Sequence, residues 1–205
     1  MIHSGSRFLG GLLKNHYAGK SPLLKSMEAA EFLRDQRITV EFARLSRIEM
    51  AQRVISCISD VCAQSCHLIE QIDRPHNIVT IEQHGGSELA VHRKGACTAL
   101  ANARGIIPGS MGTGSYIVEG KGSPWSYNSS SHGAGRCMSR GEAFRRLSSR
   151  ELFSDMAGIV WGSSERLKDE APRAYKDIDV VMRAQRDLVR VVCKLQPLLV
   201  VKGEN

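Results

Sequence analysis

"NIVTIEQHGGSELAVHRKGA", residues 77–96, is the stretch whose reading decides the fold. "IVTIE" and "ELAVH" are short runs of β-branched and aliphatic residues, and His84, Gly85, Gly86 and Ser87 stand between them. Two successive glycines supply the positive φ angles of a tight hairpin turn, so the stretch reads as an antiparallel β-hairpin. Downstream, "GIIPGSMGTGSYIVEGKG" (105–122) repeats the theme, with Ile106–Ile107 and Tyr116–Val118 on either side of a glycine-rich turn. The chain closes on "PLLVVKG" (197–203), which reads as a last strand.

Helical signals flank these strands. Apolar residues recur at Phe42, Leu45, Ile48, Ile55, Ile58 and Cys62, close to helical spacing, and predict a long amphipathic helix over about residues 42–66 packed on a sheet. Ser26 and Glu28 before "AAEFL" predict a separate, shorter helix ahead of it. "DEAPRAYKDIDVVMRAQRDLVRVVCKL" (169–195) predicts another, apolar at Ile178, Val181, Leu188 and Val192, with Asp177 as N-cap. Met1–Gly11 reads as a strand end or loop. With no internal repeat and no low-complexity linker, the pattern is that of one α+β unit over residues 1–205, a mixed sheet with packed helices.

Composition narrows the partners. The 205 residues carry a formal charge of +7, with 42% hydrophobic and 24% charged residues, an ordinary globular balance tilted toward polyanionic ligands. Arg136, Arg140, Arg145, Arg146 and Arg150 crowd into one segment. No apolar run approaches the ~20 residues of a membrane span, and the first residues lack a signal-peptide pattern. The six cysteines show no disulfide-framework spacing and read as reduced thiols of a cytoplasmic protein. Cys62, Cys66 and His67 lack the second ligand pair of a structural zinc site, and the helical pattern around them predicts buried thiols instead.

Four polar clusters fall at predicted strand ends and turns: "HSGSR" (3–7), His76–Asn77, "PGSMGTGS" (108–115) and "SHGAGRCMSR" (131–140). Lys202–Gly203 adds a fifth. The glycine- and serine-rich loop suits backbone N–H groups to an anion, although the Walker A spacing is absent, and a plain flexible turn has the same composition. In "SHGAGRCMSR" a histidine stands between glycines and ahead of two arginines. An imidazole there could act as nucleophile, proton shuttle or metal ligand, or belong to an inert surface loop.

Taken together and in order, "HSGSR", "RPHNIV-IE", "HRKGA", "IIPGSMGT-SYIV-GKG", "SHGAGR-MSR", "AYKDID-VM" and "VVKG" resemble the RtcB family of GTP-dependent RNA ligases, from Met1 to Gly203. The resemblance implies an enzyme joining RNA 3′-phosphate or 2′,3′-cyclic phosphate ends to 5′-hydroxyl ends, with GTP as co-substrate and Mn2+ as cofactor. It implies that His132 is the nucleophile that takes GMP through Nε2, and that His3 and His76 are manganese ligands. It implies a nucleotide pocket from His76, Asn77, Pro108, Gly109, Ser110, Met111, Ser115, His132, Gly133, Ala134, Gly135 and Lys202. Arg7, Lys94, Arg136 and Arg140 are implied to hold RNA phosphates.

The sequence also departs from the family pattern. Relatives carry an N-terminal half before "HSGSR", with an Asp-x-x-Cys arrangement and a Gly-Asn-His-Phe segment that complete a two-manganese site, and neither motif is present here. The region from Lys20 to Phe42 also looks shortened. These departures predict that a missing half acts in trans, and that the chain alone binds manganese poorly, joins no RNA and self-associates. The alternative is an inactive GTP- or RNA-binding remnant or gene fragment without the second metal site, with a metal-dependent phosphodiesterase as a third possibility.

Overall fold

The computed structural model describes residues 1–18 and 24–203, so part of the Lys20–Phe42 stretch expected to be shortened lies outside the described residues. The chain divides into two compact units, Met1–Val79 and Thr80–Asn205.

The first unit is built on two helices. Residues 8–18 form α1 (Phe8–Ala18), whose first four residues lie in the Met1–Gly11 stretch expected to be a strand end or loop. Its buried anchor is Tyr17, which donates to Asp35 Oδ2 at 2.8 Å and packs edge-on against Phe32. The second helix, α2, runs without a break from Ser26 to Cys62, so the shorter helix expected ahead of Phe42 is its first part. No glycine or proline occurs anywhere in this span, so nothing in the backbone chemistry stops propagation. Glu28 accepts the Lys25 N–H at 3.1 Å and closes the first turn. The helix ends four residues earlier than expected, where Ala63 turns left-handed at φ 50°.

Only Gln36 and Ala43 are buried along α2. Phe42, Leu45 and Ile58, expected against a sheet, are 49%, 52% and 47% exposed. Cys57, Cys62 and Cys66 are exposed as well, so the buried-thiol expectation fails. Helical periodicity tells which residues share a face. It does not tell whether a partner covers that face.

The second unit carries the β-structure, apart from residues 77–79 at the start of the first strand, which belong to the first unit. β1 (Asn77–His84) and β2 (Ser87–Lys94) pair as the expected hairpin, with Gly85 and Gly86 at φ 58° and 81° in its turn. β3 (Ala96–Thr98) pairs antiparallel with β6 (Ser129–Ser131). β4 (Arg104–Ile107) and β5 (Ser115–Gly120) flank the expected glycine-rich loop, and β8 (Val189–Leu195) joins β5 antiparallel on the other side. β7 (Val160–Trp161) and β9 (Leu199–Val200) form the one parallel pair among the described residues. The α+β class holds, and the expected mixed sheet is divided into four small ones.

Between β6 and β8 lie α3 (Arg140–Arg146), α4 (Ser149–Asp155) and α5 (Ile178–Ala184). Asp177 caps α5 as expected by accepting the Asp179 N–H at 2.8 Å. The predicted helix nevertheless stops at Ala184, and Val192 falls on β8. The run "VRVVC" is dense in β-branched residues, and pairing with β5 outweighs the helical spacing. One core packs Ile107, Tyr116 and Val118 against Ile178, Met182 and Val189. A second gathers Met111, Leu147, Leu152 and Met156 around Ala143, Ala171 and Ala174.

Candidate functional site

In the first unit, two of the sequence-predicted metal ligands converge. His3 Nε2 and His76 Nε2 lie 2.9 Å apart, with the rings edge to face. Arg47 on α2 makes that approach possible. Its guanidinium grips Asp73 through Nε and Nη2 at 2.6 and 2.9 Å and donates from Nη1 to the Ser4 carbonyl at 2.8 Å. One side chain therefore ties the residue after His3 to the segment leading into His76. No local sequence pattern announces this clamp, because its partners lie 26 and 43 residues away. Arg7 and Asn77, also in this unit, are exposed, and Arg7 adopts φ 47° just before α1.

The histidine pair fits as part of a manganese site and not as a whole one. Hard divalent ions of this kind favour about six ligands, mostly oxygen. Among the described residues no group of three or more His, Cys, Asp or Glu side chains converges.

In the second unit, His132 follows β6 directly. Its backbone N–H and its Nδ1–H both donate to the Gly95 carbonyl, at 3.3 and 2.7 Å. A carbonyl can only accept, so Nδ1 carries the proton and the ring lone pair is on Nε2. Gly95 holds φ 74° to present that carbonyl, and a Cβ there would stand 3.6 Å from the imidazole. Lys94, next to it, is exposed. Gly133 and Ala134 turn inward: the Ala134 N–H donates to the Pro108 carbonyl at 2.9 Å, and a Cβ on Gly133 would press to 3.0 Å from that same oxygen. Gly133 therefore serves close packing on Pro108. Gly135 accepts the Lys176 N–H at 2.9 Å.

The Pro108–Gly114 loop is closed on itself. The Gly109 N–H donates to Ser115 Oγ at 3.2 Å, and the Ser110 N–H to Thr113 Oγ1 at 2.7 Å. Ser115 and Met111 are buried, Met111 within the second core. An anion here would have to win these N–H groups from the loop's own hydroxyls.

Three sequence-predicted cations gather on one carboxylate that sequence reasoning missed. Glu170 lies 3.7 Å from Arg136 Nη1, 3.5 Å from Arg140 Nη2 and 3.3 Å from Lys202 Nζ. The Tyr175 hydroxyl donates to it at 2.7 Å. Burial pushes the Glu170 carboxyl up, but Tyr175, Lys202 and Arg140 outweigh it and hold it below its ordinary value. Burial first, then the bond to Glu170, raises the Tyr175 phenol to about 12. Arg136 is the more committed arginine: Nε donates to the Met138 carbonyl at 3.0 Å, and the guanidinium stacks 4.9 Å over the Tyr175 ring. Its Nη2 is buried without a hydrogen-bond partner. Arg140, whose side chain is 65% exposed, can turn to another anion at little cost.

Residues 1–203 match the family described as tRNA-splicing ligase RtcB. The RNA-splicing ligase RtcB of Escherichia coli strain K12 is 37% identical over 226 residues, covering 99% of this chain and 55% of that protein. The RNA-splicing ligase RtcB of Mycobacterium tuberculosis is 30% identical over 244 residues (99% and 56%), and the tRNA-splicing ligase RtcB of Nanoarchaeum equitans is 31% identical over 249 (99% and 52%). The chain thus spans about half the length of the curated relatives it matches. No helix of the described residues is long and apolar enough to cross a membrane.

Proposed function

Because the chain belongs to the RtcB family, we propose that it carries the nucleotidyl-transfer part of an RNA ligase that joins 3′-phosphate or 2′,3′-cyclic phosphate ends to 5′-hydroxyl ends with GTP and Mn2+. The observation that carries this reading is His132, whose Nδ1–H is held by Gly95. That bond places the lone pair on Nε2, the atom that would attack the α-phosphorus of GTP. The N–P bond forms as the P–O bond to pyrophosphate breaks, and the phosphoramidate stays reactive enough to pass GMP on. An RNA 3′-phosphate oxygen then takes the guanylate from His132. The 5′-hydroxyl attacks the activated 3′-phosphorus and GMP leaves, while a cyclic phosphate is first opened by water. A 3′-phosphate is a poor electrophile toward an alcohol until guanylylation gives it a leaving group.

In this reading His76, Asn77, Pro108 to Met111, Ser115, His132 to Gly135 and Lys202 line the nucleotide, and Arg7, Lys94, Arg136 and Arg140 meet RNA phosphates. His3 and His76 would give manganese two nitrogen ligands, and the ion, when bound, neutralises triphosphate charge. The rest of its shell would come from the further length that the relatives possess, on the same polypeptide or in trans. The setting is cytoplasmic.

The test is labelling with GTP and manganese, with and without that further length. An acid-labile, alkali-stable label that disappears in His132→Ala supports the reading, and a label that persists in this variant moves the nucleophile elsewhere. The two-ligand metal pair favours a second reading, a GTP- or RNA-binding remnant, which predicts nucleotide binding and no label under any condition.

A further inference from the structure

Arg93, near the end of β2, is 2% exposed and carries a charge that no part of the proposed chemistry uses. Burying a guanidinium is costly unless every donor is met. Here every donor is. Nε donates to Ser129 Oγ at 2.9 Å, and Nη2 to the Tyr127 carbonyl at 2.7 Å and to Glu82 Oε2 at 3.0 Å. Nη1 donates to Thr80 Oγ1 at 2.8 Å and to Glu82 Oε1. Glu82 is also met by His84 Nε2 at 2.8 Å, and the His84 ring stands edge-on to Tyr127.

What this fork holds is unusual backbone. Tyr127 and Asn128 are successive non-glycine residues at φ 51° and 50°, a left-handed pair that persists only where its surroundings over-determine it. The Asn128 carbonyl then accepts the Ala99 N–H at 2.6 Å. The next residues are β6, whose Ser129–Ser131 register on Ala96–Thr98 brings His132 opposite Gly95. Arg93 grips both sides of that pairing: it lies two residues before Gly95, and its donors reach the turn and strand that lead into His132.

We infer that Arg93, closed by Glu82, is a positioning residue for His132: it fixes the strained Tyr127–Asn128 turn, and through the β3–β6 register it keeps the Gly95 carbonyl on Nδ1. The role acts on the imidazole's tautomer and touches no substrate. Its importance for catalysis rests on the reading of His132 as nucleophile, but its test needs neither GTP nor RNA.

The experiment is nuclear magnetic resonance of the chain with isotope-labelled histidine, the His132 ring being assigned by its loss in His132→Ala. The unmodified chain at alkaline pH should show Nδ1 protonated and Nε2 unprotonated. Arg93→Met should average the two nitrogens as both tautomers become populated, with far-ultraviolet circular dichroism retained, and Arg93→Lys should restore the single tautomer at most in part. If Arg93→Met does not fold, Ser129→Ala and Glu82→Gln decide in the same way, since each removes one side of the grip. A folded variant whose His132 tautomer is unchanged overturns the inference. A shifted tautomer in a protein that never takes label from GTP sinks the catalytic reading and leaves this one standing.

Discussion

The two units of the chain handle apolar residues in opposite ways. In Thr80–Asn205, short elements close around two cores, and Ile107, Leu152 and Met156 are at most 1% exposed. In Met1–Val79, the 37-residue α2 buries two residues while Met27, Val54 and Val61 are 79%, 50% and 87% exposed. The first arrangement gains its stability from burial. The second has a helix of high intrinsic propensity, many of whose apolar positions are about half exposed or more. Regular secondary structure and a packed core are therefore separable here, and the histidines divide along the same line. His132 is held by the Gly95 carbonyl beside a packed core, whereas the segments that carry His3 and His76 are tied together by the ion-paired Arg47.

The sharpest way to break this contrast is to truncate one residue in each unit. Leu152→Ala or Ile107→Ala removes a fully enclosed side chain and should cost about 2–5 kcal/mol. Leu45→Ala or Ile58→Ala, on the exposed face of α2, should change stability by less than about 1 kcal/mol. Urea midpoints at constant slope read both effects. A large loss at Leu45 or Ile58 would mean that α2 is covered in solution. In that case the same variants should also reduce any self-association seen by sedimentation.

A smaller effect sharpens the contrast through pH. The bond from Arg93, opposed by burial and aided by Thr80 and His84, lowers the Glu82 carboxyl from 4.5 to about 2. A folded-state value below the unfolded one means the unfolded chain binds the proton more readily. The stabilisation is therefore complete above about pH 4.5 and fades as pH falls toward 2. A shift of this size corresponds to roughly 3 kcal/mol. Glu82→Gln should flatten this part of the acid limb relative to the unmodified chain, while the other carboxylates continue to titrate. An unchanged acid limb would remove Glu82 from the acid response.

Legibility in the sequence followed the range of the interactions. The hairpin of residues 77–94 was readable because two glycines and two β-branched runs specify it locally, and the Asp177 cap because its partner is two residues away. The division of α2 was misread because charges and apolar residues alternate in phase along it, with no breaker to support the expected gap. Val192 fits a helical repeat and a strand equally well, and only the distant β5 decides between them. In the site, histidines and arginines stood out by type. Glu170, Tyr175, Arg47 and Arg93 did not, since their roles depend on partners the spacing does not reveal. Resemblance to a family supplied the roles, and the structure supplied the residues that hold them in place.

The smallest effect concerns one place where α2 engages in polar packing. Gln36, 7% exposed, donates from Nε2 to the Val79 carbonyl at 2.8 Å and accepts the Val79 N–H on Oε1 at 2.7 Å. A side-chain amide thus stands where a neighbouring strand would, satisfying both backbone groups of a β1 residue. Gln36→Leu keeps the volume and leaves both groups without their partner, at a cost of about 1–3 kcal/mol. Gln36→Glu retains an acceptor for the N–H and loses the donor, so it should retain protection of the Val79 amide while still destabilising. Hydrogen exchange at that single amide separates the two variants: fast in Gln36→Leu, slow in Gln36→Glu. Equal exchange in both would mean that the Gln36 side chain does not govern the protection of the Val79 N–H.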